Sequence, residues 1–338
     1  MRLPKTRLLK SLLGVSLLYP FLILMVNLIN LFLPRQSGLL ALSEVFSPFL
    51  FIPLLFLVPL LFIRGFAFLR IALACCALVW VFRFMPPLNF FPAQQVSAAV
   101  ELDVTTWNIY GKNPELDTVI EELQKRPSSV VVLQETEGEW LASDSTLKKI
   151  YPYQLRYMQG APAGLVLLSA YPIINYSQWD SKGRGWDPTA VLWAEIEVAP
   201  GRSAIVATAH PNSPDTDKCA RPLCFDPTSR NNQINQIFSQ VDQLLARKKP
   251  LILAGDFNTT QWEPTYQVLT ENLNDTYLKA GLGWGATWRP FALADHKYPL
   301  LRIDYILASP DITPLKVNVD CTPRGSDHCI VTGRFGVS

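Results

Sequence analysis

The first hundred residues of this 338-residue chain almost lack acidic side chains: Glu44 is the only one, against eight basic residues. Of the 30 basic and 28 acidic residues in the whole chain, 22 and 27 therefore belong to residues 101–338, whose net charge is about −5. Proteins that gain their affinity mainly from nucleic-acid phosphates present a broad basic face. The charge distribution thus disfavours a nucleic-acid partner without excluding one.

Histidine is scarce as well, with three residues in the chain, of which we interpret His296 as part of an ordinary loop. The six cysteines include two pairs that are close in sequence, Cys219 with Cys224 and Cys321 with Cys329. The first pair flanks a short loop that a disulfide could close in an oxidising compartment, and the second is either another disulfide or two buried thiols. Because histidines near these pairs are few, a zinc site is the less favoured interpretation.

Long apolar runs near the N-terminus contain little charge, and the chain is 49% hydrophobic overall, which is high for a soluble enzyme. Residues 12–33 follow a basic start and are too long for the apolar part of a signal peptide, and no small-residue cleavage motif follows. Residues 46–63 carry no charge. Residues 66–85 contain Arg70 and Arg83, which would have to reach opposite membrane interfaces. We predict a membrane anchor over residues 1–85 with three transmembrane helices, at 12–33, 46–63 and 66–85.

The number of spans decides the side of the membrane on which the rest of the chain lies. If residues 66–85 lie in the interface instead, two spans leave the C-terminal domain in the cytoplasm. Three spans with a basic cytoplasmic N-terminus place most of the basic residues inside and the C-terminal domain outside. We favour this multi-pass arrangement in the cell membrane, with a linker at 86–100 and a catalytic domain at 101–338.

Seven polar residues follow β-type apolar runs or lie at their ends in the C-terminal part of the chain. Strand ends are where a sheet can direct several side chains into one cleft. Singly, each has an ordinary explanation as a turn residue, a solvated strand end or a structural histidine. Together they predict a metal-assisted phosphoester hydrolase. They are Asn108, Glu135, His210, Asp256, Asn258, Asp304 and His328.

Oxygen ligands and a carboxylate–histidine pair are the chemistry that these residues offer. Glu135 and Asn108 suit a hard divalent ion such as Mg²⁺ or Mn²⁺, which takes few protein ligands. Asp304 is our candidate for the carboxylate that orients His328, which would leave the other ring nitrogen free to face substrate phosphate or water.

The Gly-Asp-Phe-Asn stretch at 255–258 supplies two more candidates. In an extended backbone Asp256 and Asn258 face the same side, while Phe257 points into the core. One of the two polar side chains would hold the attacking water and the other would donate to phosphate, as would His210.

In their order and local context these motifs resemble the endonuclease/exonuclease/phosphatase superfamily, the DNase I-like fold, and the likeness runs from about residue 101 to the C-terminus. The resemblance implies an α/β four-layer sandwich of two mostly antiparallel sheets flanked by helices. The motifs are Thr105-Thr106-Trp107-Asn108, Gln134-Glu135, Gly164, Leu168-Ser169, Tyr171-Pro172-Ile173, Gly255 to Asn258, Thr287-Trp288, Arg302 to Tyr305 and Ser326 to His328. The matching strand-like runs are 102–108, 129–134, 164–169, 191–198, 203–209, 251–255 and 303–308, with helical stretches at 114–125 and 229–247.

The resemblance also implies roles for individual residues. Asn108 and Glu135 are expected to be metal ligands, with Asp327 near the metal. The expected catalytic residues are His210, Asp256, Asn258, Asp304 and His328.

The substrate stays open, because many nucleases of the family have Thr-His-Leu where this chain has Ala209-His210-Pro211 and a polar insert at 212–227. The favoured hypothesis is a membrane-tethered hydrolase of a lipid-linked phosphate, whose partners are the bilayer and a phosphorylated lipid. A tethered nuclease is the alternative, although its basic residues would be a sparse set of Arg184, Arg221, Arg230 and Arg289. A third hypothesis is a degenerate, inactive domain that binds a partner.

Overall fold

The computed structural model describes residues 5–32, 38–63, 65–85, 100–136, 144–157, 164–180, 190–216, 225–290 and 298–337. The chain separates into two compact units. The smaller one contains the described residues up to Met85 and the described ends of the segment 215–227, and the larger one contains the other described residues.

The smaller unit is helical. Its elements are the α-helices Lys5–Phe32, Gly38–Val45 and Ala67–Phe84 and the 3₁₀ helix Phe49–Phe62. Two stretches, Gly14–Phe32 and Ala67–Phe84, are long and apolar enough to cross a membrane, and the helices 38–45 and 49–62, bent by 77°, add a third if they form one broken span. Membrane association is therefore possible for this unit.

Proline explains the irregular middle segment. Pro53 and Pro59 lie inside the 3₁₀ helix and have no N–H to donate, so regular α-helical hydrogen bonding fails there. At the end of this helix Arg70 donates from Nε to the carbonyl of Leu61 at 2.9 Å. Residues 67–84, within the segment 66–85 whose two arginines made it the least certain of the three predicted spans, form a regular α-helix that is long and apolar enough to cross a membrane.

Large apolar side chains cover much of the surface of this unit. Phe56, Phe62 and Phe82 are 82%, 86% and 77% exposed. Large apolar side chains that are this exposed are typical of a lipid-facing surface. Arg83, which the sequence suggests would have to reach a membrane interface, donates to Oδ1 of Asn27 at 2.8 Å.

The insert that follows the His210 segment joins the helical unit through its described ends. The N–H of Gly38 donates to the carbonyl of Phe225 at 2.7 Å, and Phe225 is buried. Asp215 and Asp226 exchange two backbone hydrogen bonds of 2.9 Å, which close the base of the insert. Cys219 and Cys224, which a disulfide could join, lie outside the described residues.

The larger unit contains two six-stranded sheets in the described part of the chain. The strands are β1 Val100–Asn108, β2 Val130–Gln134, β3 Tyr153–Tyr157, β4 Leu165–Ser169, β5 Ile173–Asp180, β6 Ala190–Ala199, β7 Arg202–Ala209, β8 Leu251–Asp256, β9 Asn274–Asp275, β10 Asp304–Ala308, β11 Ile312–Asp320 and β12 Ile330–Val337. The strand orders are β11-β12-β1-β2-β4-β3 and β5-β6-β7-β8-β10-β9. The pairs β1–β2 and β7–β8 are parallel, and the other neighbouring pairs are antiparallel.

Alternating side chains build the layers of this unit. Val104 and Val132 of the first sheet share one buried cluster with Val206 and Ile252 of the second, so the two sheets pack face to face. The alternate positions of each sheet face helices, as Val131 does with Val119 and Ile205 with Ile234. The helices are Leu116–Lys125, Ser145–Ile150, Thr228–Leu245, Tyr266–Leu269 and Thr276–Ala280. The predicted four-layer sandwich of two mostly antiparallel sheets flanked by helices is confirmed.

Candidate active site

Strand topology gathers the predicted side chains. Asn108 and Glu135 lie at the ends of β1 and β2, which are parallel neighbours and therefore end at one edge of their sheet. His210 follows β7 and Asp256 ends β8, the parallel pair of the other sheet. Asp304 begins β10 directly opposite Asp256 in the antiparallel register.

Asp256 is the centre of the cluster. Its Oδ2 accepts from Nδ2 of Asn108 at 3.0 Å and lies 3.4 Å from Nε2 of His210 and 3.6 Å from Nε2 of His328. The same Asn108 amide donates to Oε1 of Glu135 at 2.8 Å. One chain of contacts therefore links Glu135 to His328 across the two sheets.

Glu135 has a left-handed backbone, with φ of 54°, directly after β2. Such a conformation is costly for a residue with a side chain and is often found at functional positions. Here it turns the carboxylate towards the cleft, where Oε2 accepts from the N–H of Gly111 at 3.1 Å and Oε1 lies 3.8 Å from Nε2 of His210.

The expected contact between Asp304 and His328 is present. Nδ1 of His328 lies 2.9 Å from Oδ2 of Asp304, and both side chains are buried. Thr287 fixes the backbone beside this pair, because its Oγ1 accepts from the N–H groups of Ile303 and Asp304 at 3.2 and 3.1 Å.

The loop that carries His328 is held from several directions. A disulfide joins Cys321 to Cys329, so this pair forms the disulfide that was one of its two interpretations from sequence. The buried guanidinium of Arg289 donates to the carbonyls of Cys321, Ser326 and His328. Ser326 donates from Oγ to the carbonyl of Asn108 at 2.7 Å, which fastens the loop to the end of β1.

The segment after β8 differs from the extended backbone that the sequence suggested. The strand ends at Asp256, and Asn258 is left-handed, with φ of 51° and its N–H donating to Oδ1 of Asp256 at 2.8 Å. Side-chain carboxylates accept in this way from the backbone two residues on, which favours a turn over a strand. Phe257 is buried as predicted, and Nδ2 of Asn258 lies 3.2 Å from Nε2 of His210.

Asp327 lies at the margin of the cluster. Its Oδ2 accepts from Nε1 of Trp288 at 3.0 Å, and its Oδ1 lies 4.0 Å from Nε2 of His328. Its predicted place near the metal stays a prediction.

Buried opposite charges set the protonation of the cluster. Burial disfavours the charged form of His328, but the carboxylates of Asp304 and Asp256 outweigh burial and raise its pKa to about 10. Burial opposes ionisation of Asp256 too, yet His328 and His210 lower the pKa of its carboxyl group. Burial raises the pKa of Asp304 against the opposing effect of His328. His328 is accordingly an imidazolium whose two N–H groups face Asp304 and Asp256.

Two sets of side chains are close enough to hold a cation. The ligand atoms of Glu135, His210 and Asp256 lie within 4.8 Å of one another, as do those of Asp256, Asp304 and His328. In the part of the chain that the structure describes, the ion pairs of these carboxylates are to histidines and not to lysine or arginine. Such a carboxylate-rich donor set fits a hard divalent ion. Asp327 is in neither set.

Sequence reasoning missed the supporting residues. Gln134 crosses between the sheets, since its Nε2 donates to Oγ1 of Thr106 and of Thr208 at 3.1 Å each, next to Glu135. The roles of Thr287 and Arg289 were missed as well, although Gln134 and Thr287 both belong to motifs of the family resemblance. Gln134 could have been identified from the sequence as a polar residue in an otherwise apolar, buried strand. His296, Arg184, Arg221 and most of the linker 86–100 lie outside the described residues.

Comparison with known proteins agrees with this geometry. Residues 105–328 match the sequence profile of the Endonuclease/Exonuclease/phosphatase family. The chain belongs to this family. Its members are metal-dependent phosphoester hydrolases, and the chain is accordingly a phosphoric ester hydrolase that uses a divalent metal ion. A search of curated proteins finds no significant match.

Solved structures of family members share the fold. An endonuclease/exonuclease/phosphatase family protein from Bacteroides thetaiotaomicron has 17% identity and a TM-score of 0.57, with 72% of this chain and 100% of that chain covered. The mannosyl-6-phosphatase of the same organism has 18% identity and a TM-score of 0.54, over 69% of this chain and 99% of that one. D. rerio TDP2, complexed with single strand DNA product, has 17% identity and a TM-score of 0.54, with 70% of this chain and 98% of that chain covered.

Proposed function

We propose that the chain is a membrane-anchored, Mg²⁺-dependent hydrolase of a lipid-linked phosphate or phosphodiester at the outer face of the cell membrane. The observation that carries the proposal is the joining, in one chain, of the Glu135–Asp256–His328 cluster to a helical unit with exposed apolar side chains. A tether of this kind raises the effective concentration of the active site near lipid substrates.

The side chains divide the work of phosphoester hydrolysis. Glu135 and Asn108 would hold Mg²⁺ or Mn²⁺, which when bound neutralises charge on the phosphoryl oxygens. Asp256 accepts the hydrogen bond of the attacking water and aligns it for in-line attack. Asn258 and His210 donate to phosphoryl oxygens.

His328 contributes a fixed positive charge to this site. Its Nδ1–H is held by Asp304, so Nε2–H faces the pocket and donates to the developing negative charge of the phosphoryl group. Because burial keeps water away from this pair, the interaction is stronger than it would be in solvent.

The burial of two of the basic residues that a nuclease would need weakens the nuclease alternative. Arg230 and Arg289 are buried at 1% and 0% exposure and donate to groups of their own unit. They cannot form the exposed basic and aromatic groove that single-stranded nucleic acid requires. The net negative charge of residues 101–338 argues in the same direction.

Two features support the outer face. Three spans with a basic N-terminus inside would put the C-terminal unit outside, and the bent pair 38–45 and 49–62 adds the third span if it forms one broken span. The Cys321–Cys329 disulfide favours an oxidising compartment.

A substrate panel tests the proposal. The full chain in lipid nanodiscs is assayed with Mg²⁺ on a phospholipid, a polyprenyl diphosphate, nucleotides and plasmid DNA, beside the Glu135→Ala variant. We expect turnover of a lipid substrate that the variant loses. Lipid turnover that survives in Glu135→Ala, or turnover of DNA in preference to lipid, rejects the proposal.

The same preparation also tests the inactive-domain hypothesis. An inactive partner-binding domain would hydrolyse no member of the panel and need not bind Mg²⁺. Saturable Mg²⁺ binding to the wild-type chain that disappears in Glu135→Ala argues for an enzyme.

A further inference from the structure

The helix Thr228–Leu245 presents two buried polar side chains, Arg230 and Gln233, about one turn apart on one face. Neither belongs to the predicted catalytic set. Both make hydrogen bonds to the backbone of segments that carry a site residue.

Arg230 holds the segment after β8. Its Nη1 donates to the carbonyl of Asn258 at 2.6 Å, and its Nη2 donates to Oε2 of Glu263, also at 2.6 Å. The other oxygen of Glu263 accepts from the N–H of Thr260 at 2.8 Å. The guanidinium and the carboxylate thus fix both ends of the turn that begins at Asn258.

Gln233 holds the segment after β7. Its Oε1 accepts from the N–H of Asn212 at 2.7 Å, two residues after His210. The carbonyl of the intervening Pro211 accepts from Nδ2 of Asn258 at 3.0 Å. The two segments are therefore joined to each other as well as to the helix.

The left-handed backbone of Asn258 explains why such support is needed. A non-glycine residue at φ of 51° tends to relax to a commoner conformation unless its surroundings hold it. The short bond from Arg230 to the Asn258 carbonyl, made by a planar and fully buried guanidinium, supplies that hold.

We propose that Arg230 and Gln233 are positioning residues, which act through Asn258 and His210 respectively and set where these two side chains meet the phosphoryl group. This inference rests on the proposed function, since it takes Asn258 and His210 as phosphate contacts. Neither Arg230 nor Gln233 touches the substrate itself.

The role of Arg230 is tested by comparing one substitution in two backgrounds, wild type and Asn258→Ala. The full-length protein is assayed with Mg²⁺ and bis(p-nitrophenyl) phosphate. Arg230→Lys keeps the positive charge but loses the planar group that makes two parallel hydrogen bonds, and we expect kcat/KM to fall roughly 10- to 100-fold. In the Asn258→Ala background the same substitution should cause no further fall, because its target is already gone. A fall of equal size in both backgrounds would mean general damage and overturn the proposal.

The role of Gln233 is tested by comparing a substitution that removes its hydrogen-bond acceptor with one that keeps it. Gln233→Met removes the acceptor and should lower kcat roughly tenfold, whereas Gln233→Glu keeps an acceptor oxygen and should retain most activity. The Gln233→Met effect should vanish in the His210→Ala background. Equal losses in the two Gln233 variants would contradict the assignment.

Arg302→Lys is the matched control. Arg302 is as buried as Arg230 and makes a two-bond ion pair with Asp275, at 3.1 and 2.6 Å. Its substitution should lower the melting temperature as much as Arg230→Lys does, with an effect on kcat that is the same in the wild-type and Asn258→Ala backgrounds.

Measuring the binding of inorganic phosphate distinguishes a failure of this inference from a failure of the proposed function. With Mg²⁺ present, calorimetry should show phosphate affinity reduced roughly tenfold by Arg230→Lys, and not reduced further when Asn258→Ala is already present. A chain that binds phosphate in this pattern but hydrolyses no lipid substrate keeps the inference and loses the lipid proposal. A wild-type chain that does not bind phosphate overturns both.

Discussion

Oδ2 of Asp304 lies 2.9 Å from Nδ1 of His328, although the two residues are 24 positions apart. Neither side chain is more than 6% exposed, so solvent does not compete for the bond. The carboxylate fixes the ring and, with Asp256, keeps it charged. The direction of Nε2–H in the cleft therefore depends on a residue that does not itself reach the substrate.

Asp304→Asn should keep the shape of this pair and remove its charge. The amide stabilises the imidazolium poorly and can select the wrong tautomer. We expect kcat/KM for a phosphodiester to fall roughly 10²- to 10⁴-fold, with a small change in melting temperature. Steady-state kinetics and thermal unfolding on the same preparation measure the two effects.

Asp103→Asn is the matched control, because Asp103 pairs with Arg334 at 2.8 Å on the outer part of β1. A partly exposed pair of this kind contributes about 0–1 kcal/mol, and its loss should leave kinetics unchanged. Wild-type activity in Asp304→Asn would show that His328 needs no carboxylate.

Strands with strong apolar runs were predictable from sequence, and strands without them were not. Residues 251–255 form β8 with one further residue because Leu-Ile-Leu-Ala is buried on both faces. By contrast β11 is an edge strand with Pro314 and Lys316, and β12 contains Gly333 and Gly336, so neither has the usual composition of a strand. The missed elements also include β3, β5 and β9 and the short helices at 145–150, 266–269 and 276–280.

The site, like the fold, contains residues that could be predicted from sequence and contacts that could not. Side chains at strand ends could be predicted, since parallel neighbours such as β1 and β2 end together. Contacts such as the one from Arg230 to the Asn258 carbonyl could not, because they depend on how a helix packs on the second sheet. The turn at Asn258 was missed because the Asp256 carboxylate competes with extended backbone there.

Divalent metal should stabilise the folded chain through Glu135. A ligand that binds only the native state adds RT ln(1 + [L]/Kd), about 2.7 kcal/mol when the free ion is at a hundred times its Kd. We expect EDTA to lower the melting temperature and Mg²⁺ to restore it. The same titration on Glu135→Ala should give a flat response, and a Mg²⁺ response equal to that of the wild type would mean that the ion binds elsewhere.

Gly255 should tolerate no side chain. A Cβ there would collide with the carbonyl oxygen of Ala209 on the neighbouring strand β7. Since the obstacle is backbone, relief requires the parallel pair β7–β8 to separate beside His210. We expect Gly255→Ala to cost about 3 kcal/mol or more in the free energy of unfolding, seen as loss of melting temperature or of folded protein.

Gly201→Ala is the comparison for this substitution. Gly201 has φ of 71° and open space around it, so alanine meets only the conformational cost of about 1–2 kcal/mol. Equal losses at the two positions would show that the β7–β8 approach is looser than the geometry indicates.

The Cys321–Cys329 disulfide should stabilise the loop that carries His328. With eight residues of separation, loss of the cross-link is expected to cost about 2–3 kcal/mol from chain entropy. Cys321→Ser should lower both the melting temperature and kcat, and dithiothreitol should do the same to the wild type. Cys75→Ser, at a free and exposed cysteine of the helical unit, should do neither. Unchanged kinetics in Cys321→Ser would mean that the hydrogen bonds of Arg289 and Ser326 are sufficient to hold the loop.

A thiol placed on the larger unit should react from outside the cell. Ser177 is exposed on the edge strand β5, and Ser11 lies near the start of the first helix, before the first span. Spheroplasts expressing Ser177→Cys or Ser11→Cys are treated with a membrane-impermeant maleimide, with the parent chain as background. Three spans place residue 177 outside and residue 11 inside, so Ser177→Cys should label in intact spheroplasts and Ser11→Cys only after lysis. Labelling of both positions only after lysis would indicate two spans and a cytoplasmic active site, which would also leave the Cys321–Cys329 disulfide in a reducing compartment.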